Sequence, residues 1–130
     1  MIVVDASALL EWLLRTDAAD TIDRWLSAPG QTLHAPHLLD IEIAQVIRRY
    51  VAGGEVDAER GLAALTDLAE LPLRRYPHDV LLPRIWELRH NLTAYDASYV
   101  ALAEALEAPL LTRDRRIATA AGHRARVELV

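Results

Sequence analysis

The chain has 130 residues, a formal net charge of −5 and 52% hydrophobic residues, so it is long enough to fold around one core without a disulfide or structural zinc. The absence of cysteine excludes thiolate metal sites and thiol nucleophiles, and the absence of lysine excludes Schiff bases and Walker-type phosphate loops. No apolar run approaches the ~18 residues of a membrane span, so we expect one cytoplasmic domain over residues 1–130 with no membrane segment.

The first half of the chain alternates between strand and helix patterns. A β-branched run at Met1–Val4 predicts a strand, and a second strand is expected near Thr32–Ala35. Apolar residues at helical spacing predict helices over residues 7–14, from Asp17 to Pro29, over 38–51 and over 57–70. The last of these is expected to place Leu62 on its apolar face.

The second half of the chain continues the alternation. Residues 71–76 predict a strand, and Pro72 places it at a sheet edge or marks a strand start. Short strands are expected at 109–112 and, as a final edge strand, at 127–129. Helices are expected over 81–92, around 95–106 with Tyr95 and Tyr99 on one apolar face, and over 115–121. Strands separated by helices need right-handed crossovers, so the predicted fold class is α/β with a mainly parallel sheet covered on both faces.

Four acidic residues lie where a site could form. Asp5 and Asp114 follow predicted strands, and ligands bind beyond the carboxyl ends of parallel strands. Glu42 borders the apolar face of its helix, and Asp96 lies in the first turn of another. Each acid alone also has a structural explanation, because aspartate caps helices, Thr93 and Asp96 match a capping box, and a glutamate beside a core often reaches solvent.

Taken together, the four acids suggest a metal site. If they converge, each pair at ~4 Å would repel by roughly 4 kcal/mol at an effective dielectric constant near 20, so the cluster would need a cation. Oxygen donors without cysteine favour Mg²⁺ or Mn²⁺ over zinc. Such an ion commonly acts on phosphate esters.

Four segments contain the acids and their neighbours, and these are Met1-Ile-Val-Val-Asp5-Ala-Ser7, Glu42-Ile-Ala44, Thr93-Ala-Tyr-Asp96-Ala-Ser-Tyr-Val-Ala-Leu-Ala103 and Pro109-Leu-Leu-Thr-Arg-Asp114. They resemble the PIN-domain ribonucleases, and in particular the VapC-type toxins of toxin-antitoxin pairs. The similarity runs from Met1 to about Ile117. It implies a three-layer α/β/α fold, and a Mg²⁺ or Mn²⁺ site formed by Asp5, Glu42, Asp96 and Asp114 and supported by Ser7 and Thr112.

The resemblance also implies a function and partners. Members of this family cleave single-stranded or looped RNA, often tRNA or rRNA, and stop translation. They usually dimerise, and a small antitoxin typically obstructs the acidic pocket. We therefore predict a metal-dependent endoribonuclease with an RNA substrate, a VapB-type antitoxin and a homodimeric state. Some members carry a further acid after the last one, where this chain has Arg115 and Arg116, and this departure disfavours a full two-metal site. A single ion and a second ion recruited only with substrate are equally consistent.

The arginines near Asp114 are candidate phosphate ligands. Arg113, Arg115 and Arg116 must lie near the proposed metal site. Most surface arginines are merely solvated, and we expect this of the Arg74–Arg75 pair. Tryptophans on helical stripes favour packing over base stacking, and any that are exposed would indicate a dimer or antitoxin surface.

Three alternatives stay open. A metal-free ribonuclease could use His34 and His37, expected around a loop, as general acid and base, but it leaves the four acids without a role. A non-catalytic PIN-like binding or scaffold protein would use the acids as caps, and then Asp5→Asn or Asp96→Asn would cost roughly 1 kcal/mol of stability and no activity. A structure-specific DNA nuclease is less favoured because the chain lacks insertions that grip duplex junctions.

Overall fold

Strands and helices alternate along the chain in the computed structural model, which describes residues 1–130. The five strands are β1 (Ile2–Val4), β2 (Leu33–Pro36), β3 (Leu73–Tyr76), β4 (Leu110–Thr112) and β5 (Val127–Leu129). The seven α-helices are α1 (Ala6–Leu13), α2 (Ala19–Leu26), α3 (Leu38–Ala52), α4 (Ala58–Glu70), α5 (Leu82–Glu87), α6 (Ala94–Leu106) and α7 (Arg115–Thr119). A 3₁₀ turn at Asp79–Leu81 precedes α5.

The strands form one sheet in the order β3-β2-β1-β4-β5, and every pair is parallel. β1 lies in the middle, where Val3 pairs with His34 on one side and Leu110 on the other. All three residues of β1 are buried, as expected for a strand covered on both faces. The predicted α/β fold class is confirmed, and β3 and β5 are the edge strands that the sequence predicts.

Three predictions about helices are wrong. α5 ends at Glu87 rather than near Leu92, because residues 88–92 form successive turns that still bury Leu88. Leu62 is 67% exposed, because α4 turns its small residues toward α3 and a Cβ on Gly61 would lie only 3.0 Å from Ile47. Tyr95 is 62% exposed, because α6 enters the core only from Ala97 onward.

One prediction about a polar side chain is also wrong. Arg75 is not merely solvated, because its guanidinium donates to both carboxylate oxygens of Asp40, at 2.6 and 2.9 Å. His34 lies within β2, in agreement with the strand predicted near Thr32–Ala35, and it is buried. One tryptophan is largely exposed to solvent. Trp86 is 66% exposed, and the guanidinium of Arg89 lies 4.4 Å from its ring centroid.

The helices are also informative about membranes. None of them combines the length and the apolar composition that crossing a lipid bilayer requires.

Candidate active site

The four acids line one cleft of about 370 Å³ at the carboxyl edge of the sheet. Asp5 follows β1 and Asp114 follows β4, and these strands are parallel neighbours, so their ends meet at the same edge. Glu42 lies near the start of α3, which follows β2, and Asp96 lies in the first turn of α6. The topology therefore brings together residues from both ends of the chain and from its middle.

Hydroxyl groups orient Asp5 within the cleft. The hydroxyls of Ser7 and Thr112 both donate to Asp5 Oδ2, at 2.9 and 2.6 Å. Thr112 Oγ1 in turn accepts the N–H of Asp114 at 3.0 Å, and Ser7 Oγ accepts the N–H of Arg113 at 3.0 Å. Asp5 occupies the N-cap position of α1, but its side chain makes no capping hydrogen bond. Capping therefore does not account for the orientation of this carboxylate.

Three of the four acids have a raised pKa. Burial is the largest cause in each case, because it disfavours the charged form. The charges of Asp5 and Asp96 further raise the pKa of Glu42, and those of Asp5 and Asp114 further raise the pKa of Asp96. The acids thus lie close enough to destabilise one another's charge.

Asp114 is held differently. Its side chain caps α7 by accepting the N–H of Arg116 at 2.9 Å, and the Arg116 guanidinium donates to both of its oxygens, at 3.1 and 2.9 Å. These hydrogen bonds lower the pKa of Asp114. The Arg116 side chain is 86% exposed, so water competes with this ion pair and keeps it weak.

The donor groups fit a hard divalent cation in chemistry and charge. The ionisable side chains that line the cleft are carboxylates, arginines and one tyrosine, so oxygen atoms supply the donors. As the side chains stand, no three acidic or histidine side chains are arranged to hold one ion.

Comparison with known proteins gives the family. The PIN domain family model matches residues 2–123. The chain belongs to the PIN-domain family. Within it, Ribonuclease VapC9 of Mycobacterium tuberculosis is 50% identical over 117 residues, which cover 90% of this chain and 88% of that protein. Ribonuclease VapC1 of the same organism is 45% identical over 129 residues, which cover 98% and 96%. The predicted resemblance to VapC-type PIN domains is confirmed.

A solved structure agrees with this assignment. The crystal structure of PAE2754 from Pyrobaculum aerophilum superposes with a TM-score of 0.71 at 27% sequence identity, covering 97% of this chain and 81% of that one. The fold of this PIN domain is therefore shared with a solved structure, and the cleft of this VapC-type chain lies at the carboxyl edge of its parallel sheet.

The three candidate RNA-binding arginines all follow β4. Arg113 lines the cleft, contacts Glu11 at 3.6 Å and donates to the carbonyl of Val130 at 3.2 Å. Arg115 is exposed at the start of α7. These arginines therefore lie on the same side of the PIN domain as the four acids. Their role in RNA binding stays a prediction.

His34 and His37, the candidate acid and base of a metal-free mechanism, do not line the cleft. His34 Nδ1 lies 2.7 Å from Tyr76 Oη and His34 Nε2 lies 2.8 Å from Thr32 Oγ1, and these bonds hold the imidazole at the β2–β3 side of the sheet. The arrangement offers no pair of histidines beside the acids for acid-base chemistry.

The sequence analysis gave no role at the cleft to Tyr99, Arg49 or Glu11. Tyr99 was expected only to pack in the core, yet its hydroxyl donates to Glu42 Oε1 at 2.5 Å. Arg49 and Glu11 line the cleft itself, whereas Tyr99 does not. Helical spacing could have identified Arg49, which follows Glu42 by seven residues and so shares its face of α3.

Proposed function

We propose that this VapC-type PIN domain is a Mg²⁺- or Mn²⁺-dependent endoribonuclease and the toxin of a toxin-antitoxin pair. The observation that carries this proposal is the single cleft lined by Asp5, Glu42, Asp96 and Asp114. The first three have a raised pKa, and none of those three forms an ion pair with a basic side chain. A divalent cation would relieve this uncompensated charge.

The chain's own side chains have separate tasks in this mechanism. The four acids would hold the ion, which when bound activates water and neutralises charge on the phosphoryl oxygens. Ser7 and Thr112 fix the orientation of Asp5 through their hydroxyl donors. Exposed guanidinium groups beside the cleft bind the phosphates that flank the scissile bond and position the RNA strand, and these are Arg113, Arg115 and Arg116.

Family membership supports the finer parts of the proposal. We propose that the substrate is tRNA or rRNA, that cleavage inhibits translation in the cytoplasm, that a VapB-type antitoxin covers the acidic cleft, and that the toxin forms a homodimer. The relatives at 45 and 50% identity are named as VapC ribonucleases. The exposed Trp86 and its neighbour Arg89 are candidates for a protein interface, because aromatic and arginine side chains are enriched in interfaces.

A cleavage assay tests the proposal. The purified protein is incubated with tRNA, rRNA and single-stranded DNA in Mg²⁺, in Mn²⁺ and in EDTA. We expect RNA fragments with 5′-phosphate and 3′-hydroxyl ends only when the divalent ion is present, and recovery when Mn²⁺ is returned after EDTA. Cleavage that persists in EDTA, or 2′,3′-cyclic phosphate ends, would contradict it. No cleavage of any RNA, together with no divalent uptake, would favour a binding or scaffold protein.

A further inference from the structure

Tyr99 occupies an unusual place for a hydroxyl group. Its side chain is the largest of the fully buried ones, with 0% exposure, and it lies on α6 one turn after Asp96. Its hydroxyl donates to Glu42 Oε1 at 2.5 Å. The ring therefore packs in the core while its polar end meets a carboxylate of the cleft.

The chemistry of the two groups sets the direction of this hydrogen bond. A phenol carries an O–H donor and an ionised carboxylate can only accept, so Tyr99 donates and Glu42 accepts. Because Tyr99 is fully buried, it cannot touch an RNA strand in the cleft.

A neutral hydrogen-bond donor restrains a carboxylate without neutralising its charge, whereas a cationic donor does both. Asp114 is held by the guanidinium of Arg116, which neutralises its charge. Glu42 is held by a phenol, which restrains the carboxylate but leaves its negative charge in place. A glutamate side chain has several freely rotating bonds, so without this donor Glu42 would sample orientations away from the cleft.

We infer that Tyr99 is a positioning residue that fixes Glu42 in the cleft for binding a divalent cation. The inference rests on the proposed metal-dependent function. Carboxylates that bind metal ions commonly have a hydrogen-bond partner behind them, and loss of that partner typically weakens metal binding or activity 10- to 100-fold. Tyr99 would be that partner for Glu42. Through Glu42, Tyr99 also joins the buried face of α6 to α3, the two helices that carry Glu42 and Asp96.

Tyr99→Phe tests this inference, because it removes the hydroxyl and keeps the ring. Tyr76→Phe is the matched control, since its hydroxyl bonds to His34 at the other side of the sheet. We expect Mn²⁺ affinity, measured by calorimetry, to fall about 10-fold in Tyr99→Phe and to stay unchanged in Tyr76→Phe. With Mn²⁺ saturating, kcat should fall while KM for RNA stays the same, because Tyr99 does not contact the substrate.

Two further measurements separate positioning from a merely structural role. In metal-free crystals, Glu42 should occupy one conformer in the wild type and several in Tyr99→Phe. In the Glu42→Gln background, adding Tyr99→Phe should cause no further loss of Mn²⁺ affinity, because Tyr99 acts only through Glu42.

The outcomes distinguish the two proposals. Wild-type Mn²⁺ affinity and kcat in Tyr99→Phe, or a Glu42 side chain equally ordered in both proteins, would overturn the positioning role alone. A wild-type protein that neither binds Mn²⁺ nor cleaves RNA would overturn the proposed function and the metal-binding role of Tyr99 with it. A lower melting temperature with unchanged Mn²⁺ affinity would mean that Tyr99 only stabilises the fold.

Discussion

Helix α6 carries two acids whose surroundings are opposite. Asp96 lies at its start, borders the cleft and has a raised pKa. Glu104, two turns later, has a side chain only 2% exposed. Arg84 donates to both of its oxygens, at 2.8 and 3.1 Å, and the N–H of Arg124 donates at 3.0 Å. Burial alone would raise the pKa of Glu104, but these partners outweigh burial and lower it.

The difference separates a structural acid from acids available to a ligand. A buried carboxylate normally requires a cationic or hydrogen-bonding partner, and Glu104 has both. Asp5, Glu42 and Asp96 form no ion pair with a cationic side chain, and burial and neighbouring carboxylates raise the pKa of each. Acids left in that condition at the carboxyl edge of a parallel sheet favour a bound cation as the missing partner.

The largest expected effect is on catalysis. Asp5→Asn removes one negative charge from the cleft while its amide can still accept the Ser7 and Thr112 hydroxyl groups. We expect kcat for RNA cleavage to fall by about a thousandfold, equivalent to about 4 kcal/mol. Glu104→Gln and Asp20→Asn, outside the cleft, should keep wild-type kcat in the folded protein. Comparable losses in all three variants would remove the distinction between the two kinds of acid.

The next largest effect is on stability. Arg84→Met leaves Glu104 buried without its main partner, so the free energy of unfolding should fall by about 3 kcal/mol, measured by urea titration. The double variant Arg84→Met, Glu104→Leu removes both charges and should recover most of that loss. If Arg84→Met unfolds at the same urea concentration as the wild type, the hydrogen bonds of Arg84 to Glu104 do not stabilise the fold.

The contributions of Asp5 and Glu104 to the free energy of unfolding should change with pH in opposite directions. The pKa of Asp5 is raised from 3.8, so its contribution is fully present below pH 3.8 and is lost as the pH rises through the folded value. The pKa of Glu104 is lowered from 4.5, so its contribution is present above pH 4.5 and is lost as the pH falls through the folded value.

Urea unfolding in EDTA between pH 3 and pH 7 checks these signs. Asp5→Asn should be more stable than the wild type at pH 7, and the gain should shrink toward pH 3.8. Glu104→Gln should be less stable at pH 7, and its deficit should shrink below pH 4.5. Two variants that change in the same direction with pH would contradict the comparison.

The smallest effect concerns the arginines that follow β4. Arg115→Glu or Arg116→Glu should weaken RNA binding and lower the slope of log affinity against log salt by about one per lost phosphate contact. Arg24→Glu on α2, exposed and outside the cleft, is the control. Stability should change by less than about 1 kcal/mol, because exposed ion pairs contribute little. Unchanged RNA affinity at every salt concentration would exclude these arginines from the interface.

Short-range patterns predicted much of the fold. Short apolar or alternating runs between helical patterns located every strand, and they placed Asp5 and Asp114 at strand ends before the sheet order was known. The same patterns misplaced Leu62 and Tyr95, because the turn of a helix about its axis depends on what packs against it, such as Gly61 of α4 against α3.

Contacts between distant parts of the chain were not predictable. Arg75 with Asp40, Arg84 with Glu104 and Tyr99 with Glu42 join residues at least 20 positions apart. Their spacing follows no helix or strand period, so a single sequence contains no signal for them. The candidate site was therefore predictable in its acids and hydroxyl groups, which follow strand ends and the family motifs, but not in the partners that restrain them.

The central position of β1 has a consequence for synthesis of the protein. Val3 of β1 pairs with Leu110 of β4, 107 positions later in the chain, and Asp114 follows β4. A nascent chain, or a fragment cut before residue 110, therefore lacks one of the two strands beside β1 and one of the four acids, so it cannot form the complete cleft.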